Sequence, residues 1–414
     1  MDPSNPSVNT WDDSRGNHHS YDSDTGMETF TSSKYGTKTA FDAYGNQYAV
    51  IGGDDDDDDS SSSSSGKPVL LDLDGDGISI SELGRSDVFV DADDDGFENR
   101  TAWAGAGDGV LFYDPDDLNA IVETRQFVFT EWDPTAADDM EALRSVFDTN
   151  GDGVLDASDA AFSAFKVMVT NADGSTTVKT LSELGIVSIG LQANAARYTF
   201  DDGSSVTGES VFTRADGSTG IAANAVLAAE SEDYRVEQDI AVDGNGNRQV
   251  VSTGYDADGN KVFVIDAETS ADGLSETTQF DDDGDGVVDR IQTIATVVAA
   301  DGSEVVTRTD RSGSDMASAT IESRKVTTTS ADGSVITIER DGTGGGWFDS
   351  REVRTRHADG SLTTETAVLG ADGSVITATS ETVSADGKTR STGVDLDGDG
   401  LYDRTTVFEI ADGT

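Results

Sequence analysis

Residues 148 to 159 read "DTNGDGVLDASD" and decide how the centre of this chain is expected to fold. Calcium takes about six to eight oxygen ligands, and a loop of about twelve residues supplies them from positions 1, 3, 5, 7, 9 and 12, with glycine at position 6 for a sharp turn. This stretch has glycine at position 6 and oxygen-bearing side chains at all the other side-chain positions. The predicted ligands are the side chains of Asp148, Asn150, Asp152, Asp156 and Asp159 and the backbone carbonyl of Val154.

The residues on both sides of this loop predict helices. Apolar side chains recur there at helical spacing. They are Met140, Leu143, Val146 and Phe147 before the loop and Phe162, Phe165 and Val169 after it. The sequence therefore predicts an EF-hand-like helix-loop-helix, with the shorter Asp159 in place of the usual final Glu. The alternative interpretation is a surface turn rich in Asp, Asn and Gly.

Composition limits the chemistry that the chain can perform. The 414 residues include 27 basic and 81 acidic ones, for a formal net charge of −54, which argues against nucleic acid and anionic membranes as partners. There is no cysteine and there are only three histidines, so a bound metal is expected to be held by oxygen. No apolar run is long enough for a membrane span, and the N-terminus lacks the pattern of a signal peptide.

Composition also divides the chain into four segments. Residues 1–50 alternate polar and apolar positions and predict a small β segment. Residues 51–67 form an Asp/Ser/Gly-rich linker with nothing to bury. Residues 68–231 mix helical and strand patterns and are interpreted as the calcium-binding module. Residues 232–414 are a Thr/Asp/Gly-rich repeat region.

The repeat region predicts a β array. "ADG" occurs eight times between residues 257 and 413, at intervals of 13–14 or 26–31 residues. The segments between these turns are rich in Thr, Val and Ile, as in "SVITIER" at residues 334–340. Strands joined by tight Asp-Gly turns are expected to pair antiparallel. The predicted fold class is therefore α+β, a small EF-hand-like calcium module followed by a repetitive antiparallel β array.

Four more segments carry aspartate at alternating positions followed by glycine, and each predicts a calcium loop. The predicted ligands are Asp72, Asp74 and Asp76 in "DLDGDG"; Asp91, Asp93 and Asp95 in "DADDDG"; Asp281, Asp283, Asp285 and Asp289 in "DDDGDGVVDR"; and Asp395, Asp397, Asp399 and Asp403 in "DLDGDGLYDR". The segment "RDGTGGGWFDSR" at residues 340–351 is interpreted as a degenerate copy without metal. The single aspartates of the "ADGS" motifs are interpreted as turns.

Four ordered blocks carry a resemblance to a known family. "PVLLDLDGDGI", "FVDADDDGFENRTAWAGAGDGVLFYD", "EALRSVFDTNGDGVLDASDAAF" and "LSELGIVSIGL" resemble the calcium-binding module of large bacterial RTX-type (hemolysin-type) proteins. In some members this module cleaves an Asp-Pro bond just before the first block when calcium binds. Here that bond is Lys67-Pro68, so the resemblance implies that the nucleophilic carboxylate is missing. In "YDPDDLNAIVETRQF", where the family tends to have another calcium loop, Leu118 and Asn119 replace the ligand and the glycine at positions 5 and 6.

These observations predict a non-enzymatic, exported bacterial protein whose acidic loops couple calcium binding to folding. Two alternatives remain open. One is calcium-triggered self-cleavage at another Asp-Pro bond, namely Asp2-Pro3, Asp114-Pro115 or Asp133-Pro134. The other is an adhesin or matrix protein that binds an unknown surface through the β array. A secreted or cell-surface location is expected, with type I-like export, although "DRTTVFEIADGT" shows no C-terminal export signal and suggests a truncated or split member.

Overall fold

The computed structural model describes residues 67–409, apart from 91–96, 122 and 233, together with five strands between residues 8 and 50. The predicted linker, residues 51–67, lies outside the described residues except for Lys67. The chain divides into two compact units, residues 1–60 and 61–414. The first contains an antiparallel sheet whose five strands follow chain order: β1 (Val8–Asp12), β2 (His18–Asp22), β3 (Glu28–Thr31), β4 (Lys38–Phe41) and β5 (Gln47–Val50).

The second unit begins with short strands that build a nine-stranded antiparallel sheet and two small ribbons. These strands are β6 (Val69–Asp72), β7 (Ile80–Ser81), β8 (Val88–Val90), β9 (Asn99–Thr101), β10 (Trp103–Ala104), β11 (Asp108–Tyr113), β12 (Val154–Asp156), β13 (Phe165–Thr170), β14 (Thr176–Thr180), β15 (Ile186–Gly190), β16 (Tyr198–Thr199), β17 (Ser205–Arg214) and β18 (Thr219–Val226). The sheet order is β12-β15-β17-β18-β6-β11-β13-β14, with β16 paired to β17, and the ribbons are β7-β10 and β8-β9.

The central strands β6 and β11 are buried on both faces, which explains their continuous apolar sequence. Leu71 and Leu111 belong to one core cluster, which also contains Phe147. Leu70 and Phe112 belong to a second cluster on the opposite face of the same strands. Because both faces are covered, the acidic loop that follows β6 starts from a rigid strand end.

One α-helix, α1 (Asp139–Val146), lies before the central loop that was predicted to bind calcium. Its N-cap is Asp138, whose carboxylate accepts a hydrogen bond from the Glu141 N–H at 2.8 Å. Met140 and Leu143 are buried in the first core cluster. The predicted helix before the loop is therefore present. The other described helices are single 3-10 turns at Thr124–Gln126, Phe129–Glu131 and Phe162–Ala164, and among the described residues no helix could cross a membrane.

The predicted helix after the loop is wrong, and with it the EF-hand-like helix-loop-helix and the α+β fold class. The loop runs into β12, and the 3-10 turn leads into β13, so the described chain is almost entirely antiparallel β. Phe165 and Val169 also fit a period of two, and Val167 completes the buried face of the strand. The β-branched residues of "FKVMVT" favour this conformation. Their packing against β11 outweighs the helical spacing.

A thirteen-stranded antiparallel sheet follows, in which every strand pairs with its neighbours in sequence. Its strands are β19 (Arg235–Val242), β20 (Arg248–Tyr255), β21 (Lys261–Thr269), β22 (Ser275–Asp281), β23 (Arg290–Val298), β24 (Glu304–Ser312), β25 (Thr320–Thr329), β26 (Val335–Asp341), β27 (Ser350–Arg356), β28 (Leu362–Leu369), β29 (Val375–Val383), β30 (Thr389–Asp395) and β31 (Arg404–Glu409). We call this sheet the β array.

The turns of the β array show why Asp-Gly recurs. In the turn after β23, the Asp301 carboxylate accepts hydrogen bonds from Ser303 N–H at 3.0 Å and from Ser303 Oγ at 2.7 Å. Gly302 has a φ of 91°, which side chains other than glycine rarely adopt. A turn of this type fixes its own geometry with one carboxylate, and that carboxylate is then engaged by the hydrogen bonds of the turn.

The β array contacts the preceding sheet through ion pairs. Glu82 accepts a hydrogen bond from Arg308 Nη1 at 2.9 Å and also contacts Lys325 Nζ. Asp201 lies 2.9 Å from Lys325 Nζ and 2.8 Å from Arg340 Nη2. Basic residues of the β array thus face acidic residues of the region before it. In a chain with a net charge of −54, this complementarity opposes the general repulsion.

Glu82→Gln is expected to destabilise this contact by about 1–3 kcal/mol, because Arg308 and Lys325 would lose a charged partner at a site where the Glu82 side chain is only 11% exposed. The midpoint of urea unfolding measures the change. Glu237→Gln is a matched control, because its pair with Arg235 is more than half exposed. That control is expected to change stability by less than about 0.5 kcal/mol. Equal effects of the two substitutions would contradict the assignment.

Candidate metal centre

Six loops of the described chain share one hydrogen bond. In each, the aspartate at position 1 accepts a hydrogen bond through Oδ2 from the backbone N–H of position 6. The bonds are Gly77 to Asp72 (3.3 Å), Asn119 to Asp114 (2.9 Å), Gly153 to Asp148 (2.8 Å), Gly286 to Asp281 (2.9 Å), Gly346 to Asp341 (2.7 Å) and Gly400 to Asp395 (2.9 Å). The first carboxylate therefore organises the loop by itself, and the remaining side chains decide what the loop can bind.

The backbone of these loops also follows one pattern. Positions 4 and 6 have positive φ in all six, and in five loops both are glycine. In the loop that starts at Asp148, for example, Gly151 and Gly153 have φ of 72° and 83°. A calcium loop uses a sharp backbone turn of this kind to direct ligand side chains at positions 1, 3 and 5 toward one ion.

Three loops bring three carboxylates together. One oxygen from each member of a group lies within 4.8 Å of the others. The groups are Asp72, Asp74 and Asp76; Asp281, Asp283 and Asp285; and Asp395, Asp397 and Asp399. Calcium–oxygen distances of about 2.3–2.6 Å place two ligand oxygens at most about 5 Å apart, so these groups fit a calcium ion. All nine residues were predicted as ligands from the sequence.

The loop after β6 holds two of its aspartates in surroundings that disfavour the ionised carboxylate. Asp76 Oδ1 is buried and has no hydrogen-bond donor among the described residues. Burial and the neighbouring charge of Asp74 raise the pKa of Asp76 to about 8. Burial also raises the pKa of Asp72. A divalent cation would supply the positive charge that this cluster lacks.

Asp108 adds a fourth carboxylate beside this loop, and the sequence pattern did not predict it. It stands opposite Asp72 in the register of β6 and β11, and its side chain is fully buried. Its Oδ2 accepts hydrogen bonds from Ser79 N–H at 2.6 Å and Ser79 Oγ at 2.9 Å, whereas its Oδ1 has no partner among the described residues. Burial, together with the charges of Asp72 and Asp74, raises its pKa well above the usual range. Only the strand register reveals this neighbour, which stands far from the loop in sequence.

The two loops of the β array share the hydrogen bond from position 6 to position 1, but they differ at the other oxygen of position 1, since Asp395 Oδ1 accepts from the Gly398 N–H at 2.7 Å. Asp281 Oδ1 is buried without a partner among the described residues, as Asp76 Oδ1 is. The predicted ligands at position 9, Asp289 and Asp403, stand outside the two carboxylate groups. Each instead accepts a hydrogen bond at 2.8 Å from the N–H of position 2, which closes the loop. Asp289 and Asp403 therefore stabilise the closed shape of their own loops.

The loop from Asp148 to Asp159 is formed, but its carboxylates are not gathered in the same way. Among the described residues it supplies no group of three carboxylates, because position 3 is the amide Asn150. Asn150 Nδ2 donates to Asp152 Oδ2 at 2.9 Å. Asp159 accepts from Thr149 N–H at 2.7 Å and thereby closes the loop, as position 9 does in the β array. Asp156 accepts from the Ser158 N–H at 2.7 Å, and Val154 opens β12.

The remaining predictions have different outcomes. Asp91, Asp93 and Asp95 lie outside the described residues. The segment at 341–349 keeps the loop backbone, with Gly345 N–H and Gly346 N–H on the Asp341 carboxylate at 3.0 and 2.7 Å. It has Thr343 and Gly345 at positions 3 and 5, so it lacks the carboxylates of the other array loops. The loop that starts at Asp114 differs from the others because a lysine, Lys166, contacts its oxygens.

Comparisons with known proteins find two similarities. Residues 69–228 match the family described as "SPM domain". The chain is also similar to the "Iron-regulated protein FrpA" of Neisseria meningitidis serogroup C, with 30% identity over 182 residues. That similarity covers 42% of this chain and 16% of the relative. The chain thus spans less than a fifth of the length of this relative.

Proposed function

We propose that this chain is a non-enzymatic calcium-binding protein in which acidic loops couple calcium binding to folding. The observation that carries the proposal is the gathering of three carboxylates on each of three loops with one shared backbone geometry. Five loops are proposed to bind calcium, and they begin at Asp72, Asp91, Asp148, Asp281 and Asp395.

The donor set favours calcium over other common metals. The groups offer only oxygen, and the chain has no cysteine, which argues against zinc and copper. Magnesium demands a near-ideal octahedron and usually retains several waters. Carboxylates and backbone carbonyls on a flexible loop suit the larger and more adaptable calcium shell. Without a cation, like charges within a few ångströms repel one another and oppose the closed loop.

The contacts of the Asp-Pro bonds support a chain that does not cleave itself. Self-cleavage requires an aspartate carboxylate free to attack its own carbonyl carbon. The Asp114 carboxylate instead accepts hydrogen bonds from Lys166, Leu118 and Asn119. The Asp133 carboxylate accepts hydrogen bonds at 2.6 Å from the Thr135 and Ser145 hydroxyls. Asp2 lies outside the described residues.

The proposal includes an exported location and membership of the RTX-type proteins. The resemblance of the four sequence blocks and the similarity to the meningococcal protein support it. The chain would then stay loosely folded in the calcium-poor cytosol and fold fully in the calcium-rich exterior.

Single substitutions test the loop assignments in the full chain. Asp281→Asn and Asp148→Ala are each expected to lower the calcium stoichiometry by about one ion in calorimetric titration, because position 1 contributes a direct ligand. Asp341→Asn is the matched control, since that loop has the same backbone and lacks ligands at positions 3 and 5. Asp272→Ala, in a turn with one carboxylate, is a second control. Equal stoichiometry in all four variants would refute the loop assignments.

Calcium is expected to leave the chain intact at Lys67-Pro68. Lysine has no carboxylate to form the cyclic intermediate, so the reaction that the resemblance describes has no nucleophile at this bond. Incubation of the full chain with millimolar calcium, followed by N-terminal sequencing of any product, checks this. A new N-terminus at Pro68 would contradict the proposal of a non-enzymatic protein.

A further inference from the structure

The loop that starts at Asp114 has the backbone of a calcium loop and the wrong side chains for one. The Asp114 carboxylate accepts hydrogen bonds from the N–H groups of Leu118 and Asn119, both at 2.9 Å, and the bond from Asn119 is the one that the other loops share. Position 5 is Leu118, which offers no side-chain oxygen. The loop therefore keeps its shape although it lacks one of the three side-chain ligands found in the acidic loops.

A lysine ammonium stands where the oxygens of this loop converge. Lys166 Nζ lies 2.8 Å from Asp114 Oδ2 and 2.9 Å from Asn119 Oδ1, and it also contacts the Asp117 carboxylate. These three partners are positions 1, 4 and 6 of the loop. An ammonium has three donors and no acceptor, so three oxygens at this distance satisfy it fully.

The lysine reaches this place from the sheet and is removed from water. Lys166 belongs to β13 and stands opposite Phe112 of β11. Its side chain is 4% exposed, and that of Asp114 is 1% exposed. A charged lysine is almost never buried so fully unless it is paired. Because water does not reach the ammonium, the oxygens of this loop must stabilise its charge.

The backbone of the loop is strained at the residues that hold the lysine. Asp117 and Asn119 have φ of 55° and 59° and are the only non-glycine residues with positive φ among those the structure describes. They occupy positions 4 and 6, which are glycine in the five other loops. This conformation is less favourable for a residue with a side chain than for glycine, although Asp and Asn tolerate it better than most. Both side chains contact Lys166, so the residues that carry this strain also supply the ammonium with oxygen.

We infer that Lys166 is a built-in cation that takes the place of calcium in the Asp114 loop. This loop and the β11-β13 pairing beside it then fold without calcium, whereas the acidic loops require the ion. The region would contain one permanent cation site that keeps part of the sheet ordered in a calcium-poor compartment. The contrast with the acidic loops rests on the proposed calcium binding, whereas the calcium-independent folding of the Asp114 loop does not.

Hydrogen exchange of the full chain in excess chelator tests this, with mass spectrometry of peptides from residues 114–121 and 148–156. The first peptide is expected to stay protected without calcium, while the second gains protection only when calcium is added. Lys166→Met is expected to remove the protection of 114–121 in chelator and to lower the melting temperature by roughly 6–20 °C. Lys166→Arg, which keeps a positive charge, is expected to retain more of the protection.

Two controls separate this inference from the proposed function. Lys179→Met removes a positive charge from the neighbouring strand and is expected to leave the 114–121 peptide unchanged. Asp114→Asn is expected to leave the calcium stoichiometry unchanged while destabilising the chain equally in chelator and in calcium. The inference is overturned if 114–121 exchanges in chelator as fast as it does in the urea-unfolded chain, or if Asp114→Asn costs one calcium ion. Neither result depends on whether the acidic loops bind calcium.

Discussion

Removing calcium with a chelator is expected to lower the melting temperature of the full chain by roughly 10 °C or more. If free calcium is about tenfold above the dissociation constant of a site, binding contributes about 1.4 kcal/mol, and five such independent sites contribute about 7 kcal/mol. A whole domain is stable by only about 5–15 kcal/mol. Calcium should therefore account for a large part of the stability.

Removal of calcium should also destabilise the strands of the β array, beyond the two loops that are proposed to bind the ion. Two of the proposed sites join β22 to β23 and β30 to β31, and a repulsive loop there weakens the pairing of both strands. Scanning calorimetry in chelator and in millimolar calcium measures the effect. Millimolar magnesium serves as the control and is expected to restore little of the difference, because it fits such loops poorly. A melting curve that is identical in chelator and in calcium would contradict the coupling of calcium to folding.

Calcium binding to the loop after β6 is expected to depend strongly on pH. Asp76 must lose its proton before it binds a metal, and burial and Asp74 raise its pKa to about 8. Below this pKa, the apparent affinity of the loop should fall about tenfold for each pH unit. At roughly pH 7, saturation with calcium should therefore release about one proton from this carboxyl. Titration calorimetry in buffers of different ionisation enthalpy counts the protons.

The sign of the effect on stability follows from the same shift. A folded-state pKa raised above the unfolded value of 3.8 means that the folded chain binds more protons between these two values. The calcium-free chain should therefore lose stability as pH rises through this window, and calcium should reverse the loss. Asp76→Asn removes the titrating group and is expected to abolish its share of the proton release. If the Asp76→Asn variant released as many protons on calcium binding as the unmodified chain, the proton would come from another group and the prediction would be wrong.

The sequence predicted the loops better than the fold around them. Alternating aspartates followed by glycine specify both the ligands and the positive-φ backbone, and nine predicted ligands do come together. The pattern is local, so it can be read without knowledge of the tertiary structure. The strand β13 after the central loop could not be predicted in this way, because Phe165 and Val169 fit both a helix and a strand. Contact with β11 decides between them.

The missed residues share a different cause. Lys166 stands 52 residues from Asp114, and Asp108 reaches Asp72 only through the pairing of β6 and β11. Glu304 of the β array has its pKa raised by burial and by Asp74, and it likewise lies near its loop only in the folded chain. Spacing rules cannot find partners that a sheet register supplies. The one sequence feature that could have indicated the Lys166 contact is a lysine among the apolar residues of "FKVMVT", since a lysine buried in such a segment needs an acidic partner.

Titration of calcium into the unmodified full chain by calorimetry, at near-neutral pH and after complete removal of metal, tests the central claim most directly. The account predicts saturable binding of five calcium ions per chain, four of them at loops that the structure describes. It also predicts no saturable binding of magnesium at the same concentrations. Absence of saturable heat up to millimolar calcium, or equal binding of the two ions, would contradict the account.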